Sequence, residues 1–121
     1  MIYLDYAATT PLDPRVKRVV LKYLDVFGNS SSLHASGQKA KKVIETSRAK
    51  IARVLNCRPE EIVFTSSGTE ANNLALFGVF PRDAHMVSTT IEHHSVLRPL
   101  EKRGKTTFVS VKSNGVVDPR D

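Results

Sequence analysis

Residues 61–70 read EIVFTSSGTE, a short apolar run followed by a loop of small polar residues and then a helix signal. The run 61–65 predicts a short buried β-strand. Ser67 and Glu70 have the spacing of a capping box, in which a serine and a glutamate each satisfy a backbone N–H at a helix start. A strand that leads into a helix through such a loop is typical of an α/β fold.

The C-terminal half continues this alternation of strands and helices. We predict strands at 86–89 and 106–111, and between them a helix from about 93 to 103 that ends at Gly104. Pro99 falls inside that helix, where it either shifts the start or produces a kink. Strands joined through helices by short links predict a parallel sheet with right-handed crossovers.

Two helices precede the first strand. Asp13 and Pro14 are a capping residue and a proline at the first helical position, so they predict a helix that ends before Gly28. A polar loop follows, and a second helix is predicted to run to about Leu55 with one largely apolar face made of Ala40, Val43, Ile44, Ser47, Ile51, Val54 and Leu55. We therefore divide the chain into an arm, 1–14, and a region, 15–121, that holds two helices and three strand/helix units.

Residues 118–121 repeat the capping signal found at Asp13 and Pro14, because they read DPRD. This pattern predicts the start of a further helix. We therefore expect that a further segment, C-terminal to these residues, is missing.

Composition excludes several classes of protein. Of the 121 residues, 40% are hydrophobic and 25% are charged, which is typical of a globular domain. No apolar stretch approaches the roughly 18 residues of a membrane span, and no signal peptide is visible. A single cysteine, Cys57, cannot form an internal disulfide. We expect a cytoplasmic protein without a membrane partner.

The net charge of +6 is unevenly placed, since residues 15–58 hold eleven basic and two acidic side chains. A basic region can bind nucleic acid or an acidic protein. It can also be the solvent-exposed face of amphipathic helices. Only Tyr23 and Phe27 are aromatic in this region. They do not form the series of aromatic residues that a base-stacking surface needs, so nucleic acid is not the expected partner.

Two segments could carry chemistry. The loop 65–69 at a helix start offers backbone N–H groups and hydroxyls, which bind phosphate, although the same pattern also fits a helix cap without a ligand. His93 and His94 follow strand 86–89, where α/β proteins place ligands and where a histidine can transfer protons; a surface or capping histidine is the alternative. Metal-ligand spacing and a serine-hydrolase elbow are both missing from the sequence.

Four motifs together resemble the cysteine desulfurases of the NifS/IscS type, within the class V aminotransferase-like enzymes. They are residues 3–11 (YLDYAATTP), 28–34 (GNSSSLH) with Gly37, 64–73 (FTSSGTEANN) and 92–96 (EHHSV). The motifs stand in the family's order, and the resemblance extends over essentially all 121 residues. The resemblance implies the N-terminal part of a pyridoxal-phosphate-dependent transferase of fold type I, with parallel strands and flanking helices.

The resemblance also implies a function and a set of site residues. Pyridoxal 5′-phosphate (PLP) would serve to take sulfur from L-cysteine, giving L-alanine and a persulfide for iron–sulfur cluster assembly or tRNA thiolation. Gly68 and Thr69 would hold the cofactor phosphate, His93 would stack on its ring and assist proton transfer, and Ala8 and Thr9 would lie near the substrate. The partners implied are a second copy of the chain and an iron–sulfur scaffold or other sulfur-acceptor protein.

The chain departs from the family pattern in several places. Ser30 replaces a usual proline and Ser67 a usual glycine, and we expect the second change to be tolerated because serine can cap a helix. The family's cofactor-binding lysine and persulfide-forming cysteine have no match here, and Cys57 does not correspond to that cysteine. In the fold that the resemblance implies, the neighbours of strand 61–65 come from later in the chain. We therefore expect an N-terminal segment with an incomplete sheet, in which 61–65 either lacks its neighbours or pairs with 86–90. We expect no activity from these 121 residues alone. The alternative function is a free-standing, non-catalytic basic module that binds an acidic protein or nucleic acid.

Overall fold

The computed structural model describes residues 2–118 and residue 120. In these residues the elements are α1 (Pro14–Leu24), α2 (Ala35–Leu55), a 3₁₀ turn (Pro59–Glu61), α3 (Gly68–Gly78), β1 (Met86–Thr89), α4 (His94–Arg103) and β2 (Thr106–Val109). The chain divides into two compact units, unit 1 (residues 1–63) and unit 2 (residues 64–121). No helix within the described residues is long and apolar enough to cross a membrane.

The first helix of unit 1 begins as predicted. The Asp13 carboxylate accepts a hydrogen bond from the Arg15 backbone N–H at 2.7 Å, and Pro14 occupies the first turn. The Arg15 guanidinium also pairs with Asp13 at 2.8 Å, and this contact lowers the pKa of the Asp13 carboxyl. The cap and the fixed φ of proline together set the start of α1.

A second Asp-x-Arg pair makes the same contacts near residue 120. The Asp118 carboxylate accepts hydrogen bonds from the Arg120 backbone N–H at 3.2 Å and from its guanidinium at 2.8 Å. The predicted helix after this point falls on Pro119 and Asp121, which lie outside the described residues.

Helix α2 starts earlier than the predicted polar loop suggested. Nδ1 of His34 accepts a hydrogen bond from the Gly37 N–H at 3.3 Å, so His34 is the capping residue and Gly37 lies inside the first turn. A Cβ on Gly37 would lie 2.5 Å from the Ser32 carbonyl oxygen and 2.6 Å from that of Asn29. Glycine is therefore required here by a close backbone approach. The helix ends at Asn56, which adopts the left-handed conformation with φ of 53°.

The predicted apolar face of α2 is mostly exposed to solvent. Ala52, on the same helix, is 1% exposed, whereas Ile51 is 39% and Val54 82% exposed. Periodicity shows which side of a helix can be buried. It does not show whether another element covers that side.

The prediction of a buried strand at 61–65 is wrong for the described residues. The sheet has two strands, β1 and β2, and residue 61 belongs to the 3₁₀ turn. Ile62 has extended backbone angles, and its carbonyl accepts a hydrogen bond from the Arg48 guanidinium. The expected pairing of 61–65 with 86–90 does not form either, because β1 pairs with β2. The apolar composition of the run indicates strand propensity, but a strand also needs a neighbour.

Unit 2 contains the parallel sheet that the sequence predicted. Strands β1 and β2 pair in parallel from Met86 opposite Thr106 to Thr89 opposite Val109. The second strand ends two residues before the predicted Val111. Helix α4 connects the two strands and packs against α3.

Helix α4 contains Pro99 without interruption from His94 to Arg103. Pro99 is buried together with Ser95 and Leu100, and the helix stops at Gly104, whose φ is 85°. His93, predicted as the first helical residue, is instead the residue that caps the helix.

Candidate active site

The start of α3 has the free backbone groups that the sequence predicted. The Ser67 hydroxyl accepts a hydrogen bond from the Glu70 N–H at 3.2 Å, and the Ser67 carbonyl accepts one from the Ala71 N–H at 3.1 Å. The N–H groups of Gly68 and Thr69 therefore precede the first bond of the helix, where they have no intrahelical acceptor. They lie at the positive end of the helix dipole, which favours an anion.

Space for such an anion exists at Gly68. A Cβ built on Gly68 meets no heavy atom within 4 Å, and the side chains of Thr69 and its neighbours in the loop are exposed. Open space around Gly68, beside two backbone donors, fits a phosphate group. The residues present therefore fit the phosphate of the cofactor that the resemblance implies.

The Glu70 carboxylate holds the loop in a way that corrects the predicted capping box. It accepts hydrogen bonds from the Ser66 N–H at 2.7 Å and the Ser66 hydroxyl at 2.6 Å, rather than from the N–H of Ser67. These two bonds, the hydroxyl first, lower the pKa of the Glu70 carboxyl. Glu70 therefore bonds to the residue before the capping serine, whereas in a standard capping box it would bond to the capping serine itself.

His93 stands at the start of α4, where its ring caps the helix. Nδ1 of His93 accepts a hydrogen bond from the Ser95 N–H at 3.1 Å and lies 2.8 Å from the Ser95 hydroxyl. The side chain is otherwise exposed. The capping alternative is therefore realised in the structure, and it leaves Nε2 as the ring nitrogen that can contact a ligand.

A hydrogen bond between side chains joins this site to α3. Nδ2 of Asn72 donates to the Ser95 hydroxyl at 2.9 Å, and Ser95 is 8% exposed. Neither residue was singled out from the sequence, although both stand inside the quoted motifs 64–73 and 92–96. The structure thus links His93, through Ser95 and Asn72, to the helix that begins at Gly68 and Thr69.

His94 is the first residue of α4 and directly follows the capping residue His93. Their ring planes are inclined by 54°, with centroids 6.4 Å apart. His94 lines a hollow of about 210 Å³ between α3 and α4, together with Thr69, Asn73 and Arg98 among others. The described residues hold no group of three or more potential metal ligands.

Ala8 and Thr9 lie in the other unit, in a turn of the N-terminal arm. Their backbone N–H groups donate to the Asp5 carbonyl at 3.1 Å and 3.4 Å, and the Tyr3 hydroxyl donates to the Thr9 carbonyl at 3.3 Å. Their predicted place near the substrate stays a prediction.

Of the two serines that depart from the family pattern, Ser30 lies in a turn and Ser67 lies at a helix start. Beside Ser30, the Asn29 side chain accepts a hydrogen bond from the Ser31 N–H at 2.9 Å, and the Asn29 carbonyl accepts one from the Ser32 N–H at the same distance. Ser67 caps α3, as expected from its hydroxyl. Cys57 is a free, partly buried cysteine just after α2.

Comparison with known proteins identifies the family. A family model described as aminotransferase class-V matches residues 2–121. The cysteine desulfurase IscS of Dictyoglomus turgidum is 43% identical over 129 aligned positions, which cover 99% of this chain and 33% of that protein. A NifS-like protein from Rickettsia africae superposes with a TM-score of 0.81 at 42% identity, covering 98% of this chain and 33% of that one.

A solved structure of SspA in complex with cysteine gives a TM-score of 0.82 at 34% identity, covering 95% of this chain and 36% of SspA. The chain thus spans about a third of the length of the relatives it matches. The match of the family model across residues 2–121, together with these identities, shows that the chain belongs to the class-V aminotransferase family.

Proposed function

We propose that this chain forms the N-terminal part of a cysteine desulfurase, which removes sulfur from L-cysteine and leaves L-alanine and a persulfide. The observation that carries the proposal is the pair of backbone N–H donors of Gly68 and Thr69, which have open space beside them and no intrahelical acceptor. Asn72 on the same helix donates a hydrogen bond to Ser95, next to His93. The relatives named cysteine desulfurase and the SspA complex with cysteine support the choice of reaction and substrate.

PLP, when bound, would supply an electron sink for the reaction. The chain's own contribution is to bind and orient it. The N–H groups of Gly68 and Thr69 would hold the phosphate, and Ser67 keeps these groups in place by capping the helix. Glu70 fixes the preceding loop through Ser66.

His93 would stack on the cofactor ring and transfer a proton through Nε2. Nδ1 is engaged by Ser95, so Nε2 is the nitrogen available to a ligand. A histidine can both donate and accept a proton near neutral pH, which suits this role. Ala8 and Thr9 would lie near the substrate.

Partners and location follow the same proposal. The functional form would be a cytoplasmic homodimer, and the persulfide sulfur would pass to an iron–sulfur scaffold or to a protein that thiolates tRNA. These partners are supported by the family alone.

The test uses an exchange protein, in which residues 2–121 replace the matching third of Dictyoglomus turgidum IscS. With PLP, L-cysteine and a thiol reductant that releases the persulfide sulfur as sulfide, we expect alanine and sulfide to form, and His93→Ala to lower kcat by about 100-fold or more. Ser47→Ala, on the exposed face of α2, is the control and should leave the rates of alanine and sulfide formation unchanged. A folded exchange protein that binds PLP but forms no alanine would refute the proposal.

One observation favours a second function, the binding of an acidic protein. Four lysines line a hollow of about 400 Å³ between α1 and α2, namely Lys22, Lys39, Lys42 and Lys50. Lysines grouped without an acidic residue attract anionic surfaces. Retention of the chain on polyglutamate, and its loss in Lys39→Glu/Lys42→Glu at the same ionic strength, would support this function.

A further inference from the structure

We propose that Ser95 and Asn72 are positioning residues that hold the neutral His93 ring with its hydrogen on Nε2. The proposal deepens the function above and rests on it for its consequence in catalysis. The hydrogen-bond geometry that carries it belongs to unit 2 alone.

The Ser95 backbone fixes which nitrogen of His93 is unprotonated. Its N–H is a donor only, and it points to Nδ1 at 3.1 Å. Nδ1 must therefore offer its lone pair, and in a neutral imidazole the hydrogen is then on the other nitrogen. The backbone of α4 thus favours the Nε2–H form.

The Ser95 side chain adds a second donor to the same nitrogen. Its hydroxyl lies 2.8 Å from Nδ1 and accepts a hydrogen bond from Nδ2 of Asn72 at 2.9 Å. Because the hydroxyl oxygen accepts from Asn72, its own hydrogen is free to point to Nδ1. Asn72 on α3 therefore donates to the Ser95 hydroxyl, and the hydroxyl in turn donates to Nδ1 of His93.

Burial makes these bonds hard to replace by water. Ser95 is 8% exposed and Asn72 is half-buried, whereas the His93 ring is exposed. A buried hydroxyl that loses its partner is costly, so the arrangement is favoured over alternatives that leave it unpaired. The fixed end of the ring is Nδ1 and the accessible end is Nε2–H, which is the end the proposed proton transfer uses.

The first experiment reads the tautomer directly, by long-range ¹H–¹⁵N correlation of the His93 ring in the labelled chain at a pH where the ring is neutral. We expect Nδ1 to be the unprotonated nitrogen. Asn72→Asp replaces the donor with an acceptor that competes for the Ser95 hydroxyl, and it should at least double the population with the hydrogen on Nδ1. Asn73→Asp adds the same charge one residue along, where the amide contacts the Thr69 carbonyl instead, and should leave the tautomer unchanged.

The second experiment measures kinetics in the exchange protein. Asn72→Asp and Ser95→Ala should each lower kcat by about tenfold and change KM for L-cysteine less than twofold, while Ser95→Thr, which keeps a hydroxyl, should stay within threefold of the original rate. If Ser95→Ala does not fold, Asn72→Asp carries the test because it leaves the Ser95 side chain in place.

The two readouts separate the possible failures. A tautomer that is unaffected by Asn72→Asp, or a wild-type ring protonated at Nδ1, would overturn the positioning role whatever the rates are. A tautomer that changes as expected in a protein without desulfurase activity would retain the positioning role and refute the proposed reaction.

Discussion

Glu70 accepts both hydrogen bonds that Ser66 can donate, from its backbone at 2.7 Å and from its hydroxyl at 2.6 Å. One carboxylate thereby fixes the conformation of the loop that leads to the proposed phosphate site. Each bond favours the ionised carboxylate, which explains why the pKa of Glu70 lies below its ordinary value.

This contact predicts a loss of loop order in acid. Because the pKa of Glu70 is lower in the folded chain than in the unfolded chain, its contribution to stability is complete above the ordinary carboxyl pKa. The contribution is lost as the pH falls through the lowered value. The pH dependence of Ser66 amide protection, measured by hydrogen exchange, should show this loss. Glu70→Gln should remove this pH dependence, because glutamine does not titrate. The same pH dependence in the variant as in the original chain would contradict the prediction.

Gly68→Ala should separate stability from cofactor binding. The added Cβ meets nothing within 4 Å in the chain, so the substitution should raise the free energy of unfolding by about 0.4–1 kcal/mol through the unfolded state. The same methyl group would narrow the open space around Gly68, beside the proposed phosphate donors. In the exchange protein we expect PLP affinity, followed by absorbance, to fall by about tenfold. Gly78→Ala at the other end of α3 is the control and should leave PLP affinity unchanged.

Gly37→Ala should destabilise unit 1. Its Cβ would lie within 2.6 Å of two backbone carbonyl oxygens, and a backbone contact of that kind cannot be relieved by a side-chain rotation. We expect a loss of about 1–3 kcal/mol in denaturant unfolding. Gly78→Ala is again the matched control, since the nearest side-chain atom is 3.7 Å from its Cβ and alanine is the better helix former. Equal stability of the two variants would show that the turn at residues 29–32 adjusts.

Leu100→Ala should destabilise unit 2. Leu100 is 2% exposed, so removing its side chain leaves a cavity beside β2 at a cost of about 2–5 kcal/mol. Leu24→Ala removes the same atoms from a side chain that is 71% exposed and should change stability by less than about 0.5 kcal/mol. Thermal melts of the two variants compare them directly, and similar melting temperatures would refute the assignment of Leu100 to the core.

The elements with local signals were predicted well from the sequence. The start of α1 at Asp13 and Pro14, the cap of α3 at Ser67 and the strand 86–89 depend on residues within a few positions of each other. The run 61–65 was not, because a β-strand depends on a neighbour that sequence composition does not reveal. The exposure of Ile51 and Val54 on α2 has the same origin.

The candidate site shows the same division. The motifs indicated Gly68, Thr69 and His93, and the structure links the helices that begin at these positions. Asn72 and Ser95 were missed because they are 23 positions apart and meet only when α3 packs on α4. Their one advance signal was their presence in two motifs of the same family.

The Arg103 guanidinium gives the pair of helices a second point of attachment. It donates to the carbonyl group of Leu76 in the last turn of α3 and to those of Phe80 and Pro81 just after the helix. Asn72 and Ser95 join the two helices near their starts. Helices α3 and α4 therefore run in the same direction and are held at both ends. A shift of one helix along the other by a single residue, about 1.5 Å, would break both attachments. The distance between the N–H donors at Gly68 and the ring of His93 is consequently fixed. A ligand can contact both only if its own length matches that distance.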